Sequence, residues 1–295
     1  MTDNINKGGA AVALGSFDGL HIGHMQVLKK TLESAVGGAR AVIILFDVHP
    51  REYILKKEMP KLLSDKKRNE MLRSMGFDIV TLSFEKIRDM NPEEFFDKVL
   101  LNEFNAKAVC CGFNYTFGKN GSGNAQMLKE LCSKNNVNFC EVEPVCIGGE
   151  TVSSTKIRNY LSDGQPQKAA AMLGRNYSLS GKVIHGDARG RTLGYPTANQ
   201  LADKAMIVPK YGVYETRVRV AGKCYKGVSN IGIRPTYRTD EALCETNIID
   251  FDGDIYGENI EVELVRYLRG EIHFDSADSL INQMKLDRSE VTGDV

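Results

Sequence analysis

The hydrophobic pattern of this chain changes between its two halves, and this change limits the fold more than any other feature of the sequence. Between residues 10 and 145, short apolar runs such as AVAL and AVIILF alternate with segments of helical period such as HMQVLKKTLESA. Parallel strands covered by helices on both faces produce this alternation. The first half therefore predicts an α/β domain with a parallel sheet.

Beyond residue 176 the apolar residues recur at every second position, in runs such as YGVYETRVRV, KCYKGVSNIG and NIEVELVRYL. Glycine, proline and aspartate separate these runs, as expected for turns between short antiparallel strands. The pattern predicts a small antiparallel β-barrel or sandwich. A last amphipathic segment, SADSLINQMKLDRSE, predicts a closing helix with Ser276 as its N-cap.

A length of 295 residues suits two domains, each able to bury its own core. We place the first domain at residues 1–160, a linker helix region at residues 161–177 and the second domain at residues 178–295. The linker assignment rests on a polar, helix-like stretch that precedes the first strand of period two.

Lys plus Arg and Asp plus Glu both total 38, so there is no net charge to attract nucleic acid over a broad surface. Anions must bind at local sites, and we expect no nucleic-acid partner. No apolar run approaches the roughly 20 residues that a membrane span requires. The N-terminus also lacks the pattern of a signal peptide. We therefore expect no contact with a membrane.

The seven cysteines form no C-x-x-C pair and are odd in number. This usage argues against a disulfide framework and against a structural zinc site. Reduced thiols of this kind indicate a cytoplasmic protein.

Two histidines stand where a helix is predicted to begin after the first strand. The segment GSFDGLHIGH leads into this helix, with Gly23 between His21 and His24. The free N–H groups and dipole of a helix N-terminus favour an anion, and Gly23 lets a phosphate approach the backbone. The imidazoles would donate hydrogen bonds to phosphate oxygens. Alternatively, the histidines only cap the helix.

A hydroxyl-rich and basic segment, SSTKIR, opens another predicted helix at the end of the α/β half. Its hydroxyls and Arg158 would close on the phosphates and supply charge as pyrophosphate leaves. Under the alternative, Ser and Thr cap the helix and Arg158 is solvated. Together the two segments suggest a nucleotidyltransferase, in which an attacking phosphate needs no side-chain nucleophile.

A glycine-rich segment, HGDARGRTLGYPTANQ, separates two runs of period two. Its three glycines suggest that a ligand approaches the backbone closely. Thr197 and Asn199 offer neutral oxygens to a magnesium ion shared with phosphates, and Glu245 would accept the proton of an attacking hydroxyl. The alternatives are an ordinary loop for the glycines and a solvent-facing strand position for Glu245.

Four segments of the first half, FDGLHIGH, FDVHPRE, GFNYTFG and SSTKIR, resemble the FMN adenylyltransferase domain of the prokaryotic riboflavin kinase/FMN adenylyltransferase family. The resemblance implies a Rossmann-like nucleotidyltransferase fold, with adenylyl transfer served by His21, His24 and Arg158. The further ATP contacts that it implies are Gly15, Phe17, Gly23, Ser154 and Thr155. The flavin contacts that it implies are Asp47, His49, Asn114 and Phe117. Three positions depart from the usual residues of the family: Val48, Gly121 and Asn124.

In the second half GRTLGYPTAN, YGVYE, NIGIRPTY, ETNIIDFDGDIYG and LRGEIHFDS resemble the riboflavin kinase module of the same family. The resemblance implies a small β-barrel with residues 186–192 as a flap over ATP. It implies that Thr197 and Asn199 bind Mg–ATP and that Glu245 activates the 5′-hydroxyl of riboflavin. The further ATP contacts that it implies are Gly186, Gly190, Arg191 and Pro196, and the flavin contacts are Asn230 and Arg234. Asn247 replaces a histidine common in the family.

The sequence thus predicts two activities: phosphorylation of riboflavin to FMN, then adenylyl transfer from ATP to FMN, which gives FAD and pyrophosphate. The expected ligands are riboflavin, FMN, ATP and Mg²⁺, and a weak homo-oligomer is left open. If one activity is weak, we expect it to be FAD synthesis, because the departures lie on its flavin side.

Two other functions compete with this hypothesis. The tetrapeptide HIGH also occurs in class I aminoacyl-tRNA synthetases, but the chain has no K-M-S-K-S loop. A flavin-binding regulator with inert sites is the other, and the presence of Thr197, Asn199 and Glu245 argues against it.

Overall fold

The structure, a computed structural model, describes residues 8–186, 194–233 and 242–293. The chain divides into two compact units, Met1–Ser154 and Thr155–Val295. The two units have different architectures, as the change in hydrophobic pattern predicts.

The first unit contains a parallel sheet and two short hairpins. Its strands are β1 (Ala10–Leu14), β2 (Arg40–Phe46), β3 (Asp78–Leu82), β4 (Ala106–Gly112), β5 (Thr116–Phe117), β6 (Gly123–Asn124), β7 (Asn138–Val142), β8 (Cys146–Ile147) and β9 (Glu150–Thr151). The parallel sheet has the order β3-β2-β1-β4-β7, while β5 pairs with β6 and β8 with β9. This sheet confirms the predicted α/β class.

Helices connect the parallel strands of the first unit. They are α1 (Ile22–Ser34), α2 (Pro50–Leu55), α3 (Asp65–Ser74), α4 (Phe84–Ile87), α5 (Pro92–Phe95) and α6 (Ala125–Lys134), and α5 continues as a π-helical segment, Phe96–Glu103. Their starts follow the usual capping rules. At α5, for example, Asn91 and Glu94 form a reciprocal capping box.

Both faces of the parallel sheet are buried. On β1, Val12 and Leu14 face a core that includes Phe96, whereas Ala13 belongs to the opposite core with Leu28. Side chains alternate between the two faces of a strand, so a strand buried on both faces must be apolar at every position. This burial explains why the first strand reads as the continuous run AAVAL.

The second unit contains a nearly closed antiparallel barrel of six strands. These are β10 (Ser178–Lys182), β11 (Ala198–Leu201), β12 (Gly212–Val220), β13 (Lys223–Ile233), β14 (Ala242–Ile248) and β15 (Asn259–Arg269). The strand order is β10-β15-β12-β13-β14-β11. A bridge between Ile184 and Asn199 joins the chain after β10 to β11, with the Ile184 N–H donating to the Asn199 carbonyl at 2.8 Å. The barrel confirms the period-two interpretation.

The described residues of the second unit also form three helices: α7 (Ser154–Ser162), which begins at the last residue of the first unit, α8 (Pro166–Leu173) and α9 (Ala277–Thr292). Ser276 is the N-cap of α9, and its side chain accepts a hydrogen bond from the Ser279 N–H at 3.2 Å. Across the described parts of the chain, no helix is both long enough and apolar enough to span a membrane.

A chain of hydroxyl groups crosses the interior of the barrel. Ser229 Oγ lies 2.9 Å from Thr216 Oγ1 and 2.8 Å from Thr246 Oγ1. The three residues stand on the neighbouring strands β12, β13 and β14 and are at most 1% exposed. Each buried hydroxyl is therefore hydrogen-bonded, as burial of a polar group requires.

Candidate active sites

The strand order of the first unit reverses at β1, which pairs with β2 on one side and β4 on the other. In open parallel sheets, ligands bind beyond the carboxyl ends of the strands at such a reversal. The segments that follow β1, β2 and β4 contain His21, Asp47 and Asn114, respectively. The sheet thus directs the predicted phosphate and flavin segments to one edge.

His21 and His24 stack at the start of α1, with ring centroids 3.6 Å apart. His21 is the N-cap, and its Nδ1 accepts a hydrogen bond from the His24 N–H at 3.2 Å. A neutral His21 therefore carries its proton on Nε2. Desolvation first, and His21 second, hold the pKa of His24 well below 6.5, so His24 is uncharged at neutral pH.

The His24 ring presents an unusual polar atom. Its Nδ1 is buried and has no hydrogen-bond partner within the described ranges. Buried polar atoms are rarely left unpartnered, and the exceptions cluster at functional sites. The helix start therefore combines a cap made by His21 with an unpartnered nitrogen on His24.

Glycines set the spacing around these rings. A Cβ added to Gly23 would lie 3.2 Å from Cε1 and Nδ1 of His21, and one added to Gly15 would lie 3.3 Å from the Phe17 ring. The Phe17 ring in turn lies 5.3 Å from His24, measured between centroids. A side chain at either glycine would crowd an aromatic ring of the site, so both glycines leave room for these rings.

The turn between β1 and α1 has strained backbone. Phe17, Gly19 and Leu20 all have positive φ angles, of 51°, 78° and 42°. Asp18 is buried within this turn, and its Oδ1 accepts a hydrogen bond from the Leu62 N–H at 3.0 Å. Positive φ at non-glycine residues costs energy and is concentrated at functional sites. Asp18 therefore fixes a strained turn immediately before the histidines.

The SSTKIR segment spans the division between the units. Ser154, the last residue of the first unit, donates from Oγ to the Asp18 carbonyl at 3.1 Å, so it reaches the turn before His21. Thr155 and Arg158 lie on α7 in the second unit. Their contribution to the phosphate site remains a prediction.

Two predicted flavin residues after β2 stabilise local turns. Asp47 Oδ1 accepts hydrogen bonds from the N–H groups of Phe84 and Val48, both at 2.9 Å. These bonds, that from Phe84 foremost, lower the pKa of Asp47. His49 is the N-cap of α2, and its Nδ1 accepts from the Arg51 N–H at 3.1 Å. The contacts of Asp47 and His49 with flavin remain predictions.

The remaining two predicted flavin residues of the first unit differ in exposure. Asn114 is exposed in the segment after β4. Phe117 is only 6% exposed and lies in the core, with its ring 5.8 Å from Phe95 and 6.0 Å from Tyr115. Phe117 therefore packs in the core beneath this segment, and its contact with flavin remains a prediction.

Two cavities open on the barrel, and Thr197 lines both. The first cavity has a volume of about 190 Å³ and is also lined by Gly186, Pro196 and Asn199. The second has a volume of about 350 Å³ and is also lined by Asn230 and Glu245. Those predicted ATP and flavin residues of the second unit that the structure describes thus line two neighbouring cavities that meet at Thr197.

Asn199 offers an oxygen to the first cavity. It is 5% exposed, and its Oδ1 is buried without a partner among the described residues, while its Nδ2 donates to the Thr197 carbonyl at 3.3 Å. A Cβ on Gly186 would approach Asn199 Nδ2 to 2.6 Å. An orphaned carbonyl-type oxygen beside a threonine suits a hard cation such as Mg²⁺, which prefers oxygen ligands.

The candidate magnesium site is not a cluster of acidic, histidine or cysteine ligands. No group of three or more His, Cys, Asp or Glu suited to a metal occurs within the described ranges. The residues that fit a cation here are neutral, like the Ser, Thr and Asn side chains that contribute to magnesium sites of other phosphoryl-transfer enzymes.

Glu245 lies half-buried on β14 and lines the second cavity. It stands opposite Asn230 of β13 and opposite Asn199 of β11. Opposite residues of antiparallel strands place their side chains on the same face, so these three predicted site residues share one face of the barrel.

Helix α9 forms the far wall of the second cavity, through Met284 and Asp287 among others. The Asp287 carboxylate is 4% exposed and binds the Arg269 guanidinium with two hydrogen bonds, Nε to Oδ1 at 2.9 Å and Nη2 to Oδ2 at 2.6 Å. Gln283 donates a third hydrogen bond to Oδ1 at 2.9 Å. This buried pair fixes the helix to the end of β15.

Three predicted contacts lie outside the described residues: Gly190 and Arg191 of the flap, and Arg234 on the flavin side. Their roles remain predictions.

Comparisons with known proteins identify the family of each half of the chain. Residues 3–156 match the FAD synthetase family and residues 173–293 match the riboflavin kinase family. The chain is 33% identical to the bifunctional riboflavin kinase/FMN adenylyltransferase of Listeria monocytogenes, over 97% of this chain and 92% of that protein. It is 30% identical to the Escherichia coli protein of the same name, over 95% of this chain and 90% of that protein. The chain belongs to this bifunctional family.

A solved structure shares the fold. A crystal structure described as a macrolide-efflux protein from Streptococcus pneumoniae superposes with a TM-score of 0.87 and 32% identity, over 97% of this chain and 95% of that one. Membership of the bifunctional family also replaces the interpretation of HIGH as part of an aminoacyl-tRNA synthetase.

Three of the four departures from the family pattern have a local structural counterpart. Gly121 has a φ of 66°, a conformation that a larger side chain rarely adopts. Asn124 is the N-cap of α6 and accepts from the Met127 N–H at 2.9 Å. Asn247 donates to the Pro196 carbonyl at 2.8 Å. Val48 is 39% exposed, and nothing in the structure explains its presence.

Sequence reasoning missed Asp18 and the Arg269–Asp287 pair. Asp18 lies inside the FDGLHIGH motif, but the motif does not reveal its role. That role depends on the hydrogen bond from the Leu62 N–H, which belongs to a distant segment. Arg269 lies in LRGEIHFDS, and its partner is on a helix whose amphipathic pattern alone suggests packing.

Proposed function

We propose that the second unit transfers the γ-phosphoryl group of ATP to the 5′-hydroxyl of riboflavin, and that the first unit transfers the adenylyl group of a second ATP to FMN. The meeting of two cavities at Thr197 carries the kinase part of this proposal. Phosphoryl transfer between two substrates needs two adjoining sites with the reacting groups at their junction.

In the kinase reaction, ATP would occupy the first cavity and riboflavin the second. Glu245 would accept the proton of the attacking hydroxyl, and ADP would leave on the side of Asn199. Asn230, on the same face as Glu245, would orient the flavin. Thr197 and Asn199 would hold Mg²⁺, which supplies charge stabilisation to the phosphates when bound.

In the adenylyl transfer, an FMN phosphate oxygen would attack the α-phosphorus of ATP, and pyrophosphate would leave. The attacking group is already an anion, so the unit needs no general base. His21 and the start of α1 would donate hydrogen bonds to the phosphates, and His24 would do so in its uncharged form. Arg158 and the hydroxyls of Ser154 and Thr155 would stabilise the charge of the leaving pyrophosphate.

The remaining contacts complete these sites. Gly15, Phe17 and Gly23 would shape the ATP site of the first unit, and Asp47, His49, Asn114 and Phe117 would form its flavin side. Gly186, Gly190, Arg191 and Pro196 would surround ATP in the second unit, with Arg234 on the flavin side. We place both reactions in the cytoplasm, where ATP and reduced thiols occur together, with no nucleic-acid or membrane partner and at most weak self-association.

Product chromatography after incubation with riboflavin, ATP and Mg²⁺ tests both activities. We expect FMN and FAD from the wild type, FMN alone from His24→Ala, and FAD from Glu245→Gln only when FMN is supplied. The matched controls His273→Ala and Glu258→Gln alter exposed residues that line neither cavity and should behave as the wild type.

Loss of both activities in either folded variant would contradict separate sites. Flavin binding by the wild type without turnover would instead establish a regulator with inert sites.

A further inference from the structure

A side-chain hydrogen bond holds the segment that comes directly before β11. The strand ladder between β11 and β14 begins at the pair Ala198–Thr246, so Pro196 and Thr197 lie outside it. Pro196 has no N–H group to contribute to a ladder. Its carbonyl instead accepts a hydrogen bond from Asn247 Nδ2 at 2.8 Å. The amide of Asn247 thus adds one bond to β14 where the backbone ladder stops.

This bond is protected from solvent on its donor side. Asn247 is 7% exposed, and β14 pairs it with Val228 on β13, which fixes the backbone that carries it. A buried side-chain amide whose donor is satisfied in this way contributes more to positioning than a surface amide, because water does not compete for the bond. Pro196, in contrast, is exposed.

Asn247 stands two residues after Glu245, so both side chains lie on the same face of β14, and both line the second cavity. On one side of Thr197, the ladder pairs Ala198 with Thr246 of β14. On the other side, the Asn247 side chain holds the Pro196 carbonyl. Thr197, which lines both cavities, is therefore held from its two sides by β14.

We propose that Asn247 is a positioning residue for phosphoryl transfer, which holds Thr197 at the junction of the two cavities in a fixed relation to Glu245. The inference rests on the proposed kinase function. Asn247 itself would not contact the reacting atoms, because its side-chain N–H group donates to the Pro196 carbonyl. Asn247 would act on the reaction through the segment that contains Thr197.

The test replaces the donor while conserving the shape of the side chain. In Asn247→Asp a carboxylate oxygen faces the Pro196 carbonyl, and the hydrogen bond becomes a repulsion. We expect kcat for FMN formation to fall by about tenfold or more, while KM for riboflavin changes by less than about threefold. Asn247→His, which keeps an N–H donor, should recover most of the lost kcat. The matched control is Asn259→Asp, at an exposed position that lines neither cavity.

A second measurement does not depend on turnover. Hydrogen exchange of the full chain should show faster exchange in residues 194–199 of Asn247→Asp than in the wild type, with no change there in Asn259→Asp. FAD formation from supplied FMN serves as a check that the first unit of each variant is intact.

Unchanged kcat in Asn247→Asp would overturn the proposal, as would a loss expressed only in KM for riboflavin, which would make Asn247 a substrate contact. Equal exchange of residues 194–199 in wild type and variant would also overturn it. A wild type that forms no FMN would refute the kinase function itself, and the exchange comparison would still decide whether Asn247 holds the segment.

Discussion

Asn199 and Glu245 lie directly opposite each other in the ladder between β11 and β14. One was predicted as a magnesium ligand and the other as a general base, from motifs that are distant in the sequence. Because opposite residues share a face, their pairing places the two candidate functions side by side. The register of two strands therefore assembles the candidate kinase site.

Gly186→Ala should damage the ATP side of this site. The new Cβ would lie 2.6 Å from Asn199 Nδ2, and the buried Asn199 side chain would have to move, together with its unpartnered Oδ1. We expect FMN formation to fall by about tenfold, mainly through a higher KM for ATP. Steady-state assays at varied ATP measure this, with FAD formation from supplied FMN unchanged.

Gly270→Ala is a suitable control, because its Cβ would meet only the Tyr267 hydroxyl oxygen at an ordinary 3.6 Å. An unaltered KM for ATP in Gly186→Ala would show that Asn199 takes no part in binding ATP.

The architecture of each unit followed from the sequence because burial imposes a period. Val12 and Ala13 face opposite cores, so β1 had to be apolar throughout, whereas β12 alternates between the barrel interior and its outer face. Helix starts such as Ser276 were also readable, because a cap depends on residues close in sequence.

Gly23→Ala should impair adenylyl transfer selectively. The added Cβ would lie 3.2 Å from two atoms of the His21 ring, which caps α1 through the His24 N–H. We expect the ring to tilt, the cap to weaken by about 1 kcal/mol, and FAD formation to fall by about tenfold. Chromatography of FAD formed from FMN measures this loss.

FMN formation by the same Gly23→Ala protein provides the internal control and should equal that of the wild type. Loss of FMN formation in parallel would show that the substitution acts on the whole chain and not on the site at α1.

The contacts between distant segments could not be predicted from the sequence. Asp18 meets Leu62, and Asn247 meets Pro196, through bonds that depend on how elements pack. The period of a strand reveals which face a residue occupies but not which residue stands opposite, since register depends on the partner strand. The two candidate sites were therefore recognisable as motifs, while the residues that hold them in place were not.

Ser229→Ala should destabilise the barrel. It removes the central hydroxyl of a buried chain and leaves the hydroxyls of Thr216 and Thr246 without that partner. An unsatisfied buried polar group costs about 1–3 kcal/mol, so the free energy of unfolding of the second unit should fall by about that amount. Urea unfolding followed by circular dichroism measures the change.

Ser180→Ala is the matched control for Ser229→Ala, because Ser180 is exposed on β10. Its effect should stay within about 0.5 kcal/mol. Equal effects of the two substitutions would indicate that the hydroxyl chain adds nothing to stability.

His24 should make the stability of the first unit depend on pH. Burial, followed by His21, holds the pKa of His24 in the folded chain well below its usual 6.5. As the pH falls through 6.5, the unfolded chain binds a proton at this residue and the folded chain does not. The free energy of unfolding should therefore decrease below that pH, by at most about 1.4 kcal/mol per pH unit, and His24 should contribute no slope above it.

Urea unfolding at about pH 7.5 and about pH 5.5 tests this expectation, with the wild type compared with His24→Asn. The variant should lose the part of the slope that His24 contributes, so the two proteins converge in stability as the pH falls. His273→Asn is the control, because the His273 side chain is 91% exposed and should leave the slope of the first unit unchanged. A His24→Asn protein with the wild-type slope would mean that His24 takes up its proton equally in the folded and unfolded chain, and burial would then not lower the pKa of His24.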